Sequence, residues 1–89
     1  MKVKSDPHLS VKVVSPTQIF YDGPAVTVSA TNRVGPFDIL ENHANFFSLI
    51  TEGDIVINTG VQELRFPVTH GIVKASKNVI TLFIYLPDE

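Results

Sequence analysis

The chain has 89 residues, 44% of them hydrophobic and only 18% charged, with a formal charge of −2; that is one domain with one modest core and little room for a cofactor cleft. No basic field exists to gather nucleic acid or an anionic membrane, and the absence of Cys removes disulfides, thiolate nucleophiles and Cys-based zinc sites. A charged fraction below the typical ~25% describes a folded domain with an apolar skin, and such a skin predicts partners.

Residues 1–8 lack the apolar run of a signal peptide, and no stretch approaches the roughly 18 uninterrupted apolar residues of a membrane span. A single domain over residues 1–89, with no direct membrane insertion, is expected. Leu9 to Ser15 forms the first short β-like run, and Asp22-Gly23-Pro24 has turn composition. Val26, Val28 and Ala30 then alternate with Thr27, Ser29 and Thr31, the period of two that marks a strand with one buried face. The segment from Asn42 to Ile50 has helical possibilities, but Phe46, Phe47, Leu49 and Ile50 fit a buried strand nearly as well.

Ile55 to Asn58 is another short run, closed by the turn Asn58-Thr59-Gly60. Leu64, Phe66 and Val68 alternate with Glu63, Arg65 and Pro67; Pro67 cannot donate to a ladder, which places it on an edge or at a bulge. Gly71 to Ser76 and Val79 to Leu86 flank the turn Lys77-Asn78. Runs spaced eight to twelve residues apart with turn residues between them favour a sandwich or barrel.

Two features exceed a plain β domain. Asp38, Glu41, Glu52, Asp54 and Glu63 all fall between Val34 and Leu64, where there is no Lys or Arg; this is either a solvated acidic face or a face that meets a basic partner. The last strand carries Val79, Thr81, Phe83 and Tyr85 on one face and Ile80, Leu82, Ile84 and Leu86 on the other. A thin sandwich has only one interior, so the second apolar face needs a cover: another subunit, or twist and loops of the same chain.

Catalytic chemistry is hard to find. His8, His43 and His70 show no HxH, HxxxH or HExxH spacing; a three-His metal site drawn from distant strands is geometrically conceivable, with His43 more simply a structural or interface residue. No GxSxG, GxGxxG or GxxxxGK[ST] motif occurs, so no nucleophile elbow or phosphate cradle is expected. No cofactor is expected either.

Gly35-Pro36-Phe37-Asp38-Ile39-Leu40-Glu41-Asn42-His43-Ala44 resembles the G-x-F-G-I-L-P-G-H-A signature of the N-terminal β-sandwich domain of the epsilon subunit of rotary ATP synthases. Residues 9–16 look like that family's opening strand, and Gln18 to Gly23 are similar to its x-x-F-x-G segment. Residues 49–57 resemble L-x-x-G-x-x-x-I, Thr69 to Val73 fall at its paired glycines, and Asn78 to Leu82 resemble its closing N-x-V-T-V-L. Asp38 stands for a Gly, Glu41 and Asn42 for Pro-Gly, and His70 for the first of the paired glycines; Asp and Asn tolerate the left-handed backbone next best after Gly.

The resemblance implies an all-β fold, a ten-stranded β-sandwich of two sheets, and a non-catalytic rotor subunit. It would clamp the gamma subunit to the polar loops of the membrane rotor ring at the cytoplasmic face of a bacterial inner membrane, or its organellar equivalent. Residues Gly35, Pro36, Phe37, Asp38, Ile39, Leu40, Glu41, Asn42 and His43 would form the ring-facing edge, with Asp38 and Glu41 meeting the Arg common in ring loops. About half of Phe37, Ile39 and Leu40 would be core by alternation. Ser48, Ile50 and Asp54 would face gamma. The family's C-terminal helical hairpin is expected to be absent. The alternative from the residues alone is a free-standing β-sandwich binding module; a small hydrolase is the third reading.

Overall fold

A computed structural model describes residues 8–41 and 45–87. The described chain is all strand, turn and loop: β1 (Leu9–Val14), β2 (Ile19–Ala25), β3 (Thr27–Thr31), β4 (Pro36–Ile39), β5 (Phe46–Ile50), β6 (Gly53–Asn58), β7 (Glu63–Val68), β8 (His70–Ser76) and β9 (Val79–Tyr85). They form two sheets, β2-β1-β9-β8-β5 and β4-β3-β6-β7. The two-sheet sandwich is therefore as expected, with nine strands among the described residues where the resemblance implied ten. The expected turn at Asp22-Gly23-Pro24 instead runs inside β2, and the chain leaves that strand at Val26 to enter β3. β2 is an edge strand, where a proline that lacks an N–H breaks no ladder on its open side. The segment with helical possibilities becomes β5 from Phe46 onward.

Neighbouring strands pair antiparallel except β1 and β9, which run parallel from Ser10↔Val79 to Val14↔Phe83. This places the first and last strands side by side in the middle of the larger sheet. Alternation then decides the core. Leu9, Val11 and Val13 of β1 and Ile80, Leu82 and Ile84 of β9 are buried, facing Val28, Ile39, Ile55 and Ile57 of the smaller sheet within one cluster. Each such side chain contributes about 1.5–3 kcal/mol by leaving water. No polar or charged residue joins the core among the described residues.

The two open sides of the sandwich are each closed by an aromatic pair. Phe20 of β2 meets Phe66 of β7 at 5.8 Å between ring centroids, and Phe37 of β4 meets Phe46 of β5 edge-on at 5.5 Å. Such pairs contribute about 0.5–1.5 kcal/mol beyond their burial. Pro67 lies in β7, the edge strand opposite β4, as its missing N–H requires.

Lys77 and Asn78 have φ of 52° and 67° and join Ser76 to its partner Val79. Two consecutive positive φ values in a two-residue loop make the type I′ turn whose twist suits a hairpin. At the other end of β8, Gly71 is buried and its missing Cβ matters. A Cβ there would collide with the carbonyl oxygen of Phe83 and press on Ile84, backbone that cannot swing aside. Gly71→Ala is expected to destabilise the domain by about 2–3 kcal/mol, the usual cost of overpacking. The check is urea unfolding, with a lowered midpoint and an unchanged slope.

Candidate functional site

The hairpin before β4 is tightly built. Asn32 and Gly35 exchange backbone hydrogen bonds at 3.0 and 3.1 Å, and the Asn32 side-chain oxygen accepts from the N–H of Val34 at 2.9 Å. Gly35 has φ 144° with open space around it, so the backbone rather than crowding selects glycine here. The tip is Arg33 and Val34, the latter 97% exposed. Along β4, Pro36 and Asp38 point out while Phe37 and Ile39 point in. Ile39 is fully buried, Phe37 is partly buried against the core and Leu40 is exposed, so alternation sorts them as expected. Asp38 accepts a 2.6 Å hydrogen bond from the Ser29 hydroxyl, and Glu41 Oε1 lies 2.7 Å from His8 Nδ1.

The structure thus spreads the expected ring-facing residues along the edge strand β4. Gly35 is at one end, Glu41 at the other, and Pro36, Asp38, Leu40 and Glu41 offer the exposed side chains. Asn42 and His43 lie outside the described residues.

The expected gamma-facing residues do not come together on one face. Ile50 is only 2% exposed and sits in the core. Ser48 points to the same side of β5 and accepts a 3.3 Å bond from the Asn32 amide. Asp54 is exposed on the other sheet, beside Arg65 at 3.5 Å. The physical reason is the strand period: two residues on from half-buried Ser48 points inward, and the turn after Thr51 carries the chain to the opposite layer.

The sequence picked out the outer face of the five-stranded sheet only at its last strand, not its continuation across β8 and β5. Leu49, Ile72, Phe83 and Val14 are register partners across four strands, giving an apolar row with Leu49 58% and Phe83 51% exposed. Two residues further along lies the row Phe47, Lys74, Thr81 and Lys12. At the opposite end His70 stacks on Tyr85 at 4.5 Å and 15°. The Thr69 hydroxyl donates to the Tyr85 carbonyl at 3.1 Å and lies 3.1 Å from His70 Nδ1, which holds the stack. A concavity of about 530 Å³ opens between this stack and the row, with Arg33 and Glu52 among its lining residues. The doubled apolar character of the last strand was the available signal. Phe47 and Leu49 lacked one of their own, because β5 could not be told from a helix.

Charge and apolarity are separated. Asp38, Asp54 and Glu63 of the acidic middle sit on the smaller sheet, where Arg65 lies near both Asp54 and Glu63. The charges within the two rows of the larger sheet are Lys12 and Lys74. Among the described residues, no group of three or more His, Cys, Asp or Glu is placed to hold a metal ion. The described residues present an apolar strip with a basic margin on one sheet, and an edge strand bearing Asp38, followed by Glu41, on the other.

Residues 8–84 match the family model of the β-sandwich domain of the ATP synthase delta/epsilon chain. The chain is similar to the ATP synthase epsilon chain of Vesicomyosocius okutanii, 31% identical over 77 residues, covering 84% of this chain and 54% of that one. It is also similar to that of Clostridium novyi, 27% identical over 74 residues, covering 81% and 56%. The chain thus spans about half the length of these curated relatives. In fold it resembles a chain of the Euglena gracilis mitochondrial ATP synthase, with TM-score 0.81, 10% identity, and coverage of 90% of this chain and 52% of that one. It likewise resembles one from the Tetrahymena thermophila mitochondrial ATP synthase central stalk and c-ring, with TM-score 0.76, 14% identity, and coverage of 96% and 71%.

Adjacent positions on β5 separate core from surface. Ile50→Asp is expected to unfold the domain, because it buries an unpaired carboxylate, whereas Leu49→Asp changes stability by less than about 1 kcal/mol. Circular dichroism during thermal unfolding checks both; equal losses would contradict the burial pattern.

Proposed function

The chain belongs to the family of ATP synthase delta/epsilon-chain β-sandwich domains, and on that premise we propose that it is a central-stalk rotor subunit. It clamps the gamma subunit to the polar loops of the membrane rotor ring and so couples ion translocation to ATP synthesis, without catalysing a reaction itself. It works at the cytoplasmic face of a bacterial inner membrane or the organellar equivalent. The observation that carries this reading is the apolar row Val14, Phe83, Ile72 and Leu49, left open to solvent on the larger sheet.

Transmitting torque without slip requires a rigid body with an interface buried deeply enough to resist shear. The sandwich supplies the rigid body, since the buried apolar side chains of both sheets pack in one cluster at the density of a protein interior. The row supplies the interface: removing side chains of this size from water stabilises an assembly by roughly 25 cal/mol per Å² of apolar area, before the cost of association. Gamma is therefore assigned to the face bearing Leu49, Ile72 and Phe83. Ser48 and Asp54 lie off that face, Ser48 on the inward side of β5 and Asp54 on the other layer.

The ring is assigned to β4. Asp38 and Glu41 are exposed there and, despite their contacts with Ser29 and His8, remain able to meet a cationic loop. Charges at such a rim set encounter rate and register more than affinity, which suits a contact made by loops rather than by a packed core.

Co-expression with gamma from the same source is expected to give a stoichiometric complex on size-exclusion chromatography. Phe83→Glu combined with Leu49→Glu should abolish it while the domain stays folded; a folded monomer that ignores gamma at micromolar concentration would contradict the assignment. Asp38→Lys with Glu41→Lys should weaken association with the ring about tenfold at low salt, read by pull-down of the ring, and unchanged association would remove β4 from that role.

A further inference from the structure

The sandwich has four edge strands, and three of them carry devices that discourage pairing with another chain. β2 contains Asp22, Gly23 and Pro24; β4 contains Pro36 and Asp38; β7 contains Glu63, Arg65 and Pro67. β5 is Phe46-Phe47-Ser48-Leu49-Ile50, with no proline, no glycine and no charge. Its open side also has usable hydrogen-bonding groups. The N–H of Thr51 donates to the Thr31 carbonyl on the other sheet at 2.9 Å and so points away from β8. The alternation of a strand turns the N–H and C=O groups of Leu49 and Phe47 the same way; the Leu49 carbonyl accepts a 3.1 Å hydrogen bond from the Ser48 hydroxyl and keeps a second lone pair for an added strand.

The surroundings match. Phe47 is 64% exposed and Leu49 58%, so a strand laid beside β5 would extend the apolar row by one more position. The hairpin of Asn32 to Gly35 forms the far wall of a concavity of about 350 Å³ floored by Phe47, Ser48 and Leu49. Arg33, on that wall, makes no ion pair among the described residues.

We propose that β5 is a strand-addition edge: an extended segment of the stalk partner pairs with it through the open backbone groups of Phe47 and Leu49. The segment carries alternating apolar residues that continue the row and an acidic residue beside Arg33. In such additions the main chain supplies affinity, and the alternate side chains supply specificity. The inference rests on gamma docking at this sheet, and goes beyond it by specifying main-chain pairing and the partner's charge.

The test is amide hydrogen exchange of the full chain, free and in complex with gamma from the same source. The amides of Phe47 and Leu49 are expected to slow at least tenfold in the complex, while the outward amides of β2 and β7 keep their rates. Leu49→Pro, which removes an outward N–H, should weaken the complex at least tenfold beyond Leu49→Ala. Should that variant fail to fold, Arg33→Glu on the exposed hairpin should weaken it about fivefold, less so at high salt. A complex in which Phe47 and Leu49 exchange as fast as in the free chain overturns strand addition but leaves docking standing. Failure of gamma to bind at all overturns both.

Discussion

A strand with two apolar faces can bury only one of them in a two-layer sandwich, and β9 imposes that constraint on everything around it. It sits at the centre of the five-stranded sheet, paired in parallel with β1 and antiparallel with β8. Ile80, Leu82 and Ile84 go inward and complete the core. Val79, Phe83 and Tyr85 are then committed to the outside, and Phe83 falls in register with Ile72 and, through it, Leu49 by the same ladders that hold the sheet together. The same backbone pairing that stabilises the fold assembles the apolar row.

Local features elsewhere agree with this arrangement. Gly71 allows β8 to approach the backbone of Phe83 and Ile84 closely, and the Lys77-Asn78 turn sets the register in which Ile72 meets Phe83. The pairs Phe20–Phe66 and Phe37–Phe46 seal the two open sides, so the sandwich is complete as a core while its larger sheet remains incomplete as a surface. Carboxylates are confined mainly to the smaller sheet and the loops, which leaves the apolar row with Lys12, Lys74 and Arg33 nearby. A protein with a saturated core, an unsaturated face and one undefended edge is built to be held by a neighbour.

Much of this was legible in the sequence where the governing physics is local. Alternation located β1, β3, β6, β7, β8 and β9 to within two residues, and the missing N–H of Pro67 placed it on an edge. The same rule misled at Asp22-Gly23-Pro24, where turn composition is tolerated inside a strand because that strand happens to be an edge, a tertiary fact. β5 was ambiguous because Phe46, Phe47, Leu49 and Ile50 are apolar on both sides of the pleat, which hides the period that separates strand from helix. For the same reason Ile50 looked available for an interface, although its alternation with Leu49 turns it into the core. The signature from Gly35 to His43 carried the family but not the geometry: among its described residues, Pro36 to Ile39 form the edge strand β4, with Ile39 in the core and Pro36 and Asp38 outside.

On the proposed function, the outer face of the larger sheet is covered in the assembled enzyme. The chain has no Cys, so single thiols can be placed cleanly, one as Phe83→Cys on that face and one as Glu63→Cys on the outer face of the smaller sheet. Maleimide labelling rates in the free chain and in assembled ATP synthase decide the matter. The thiol at position 83 is expected to react readily in the free chain and at least tenfold more slowly after assembly. A thiol at position 83 that labels at the same rate in both states would contradict it.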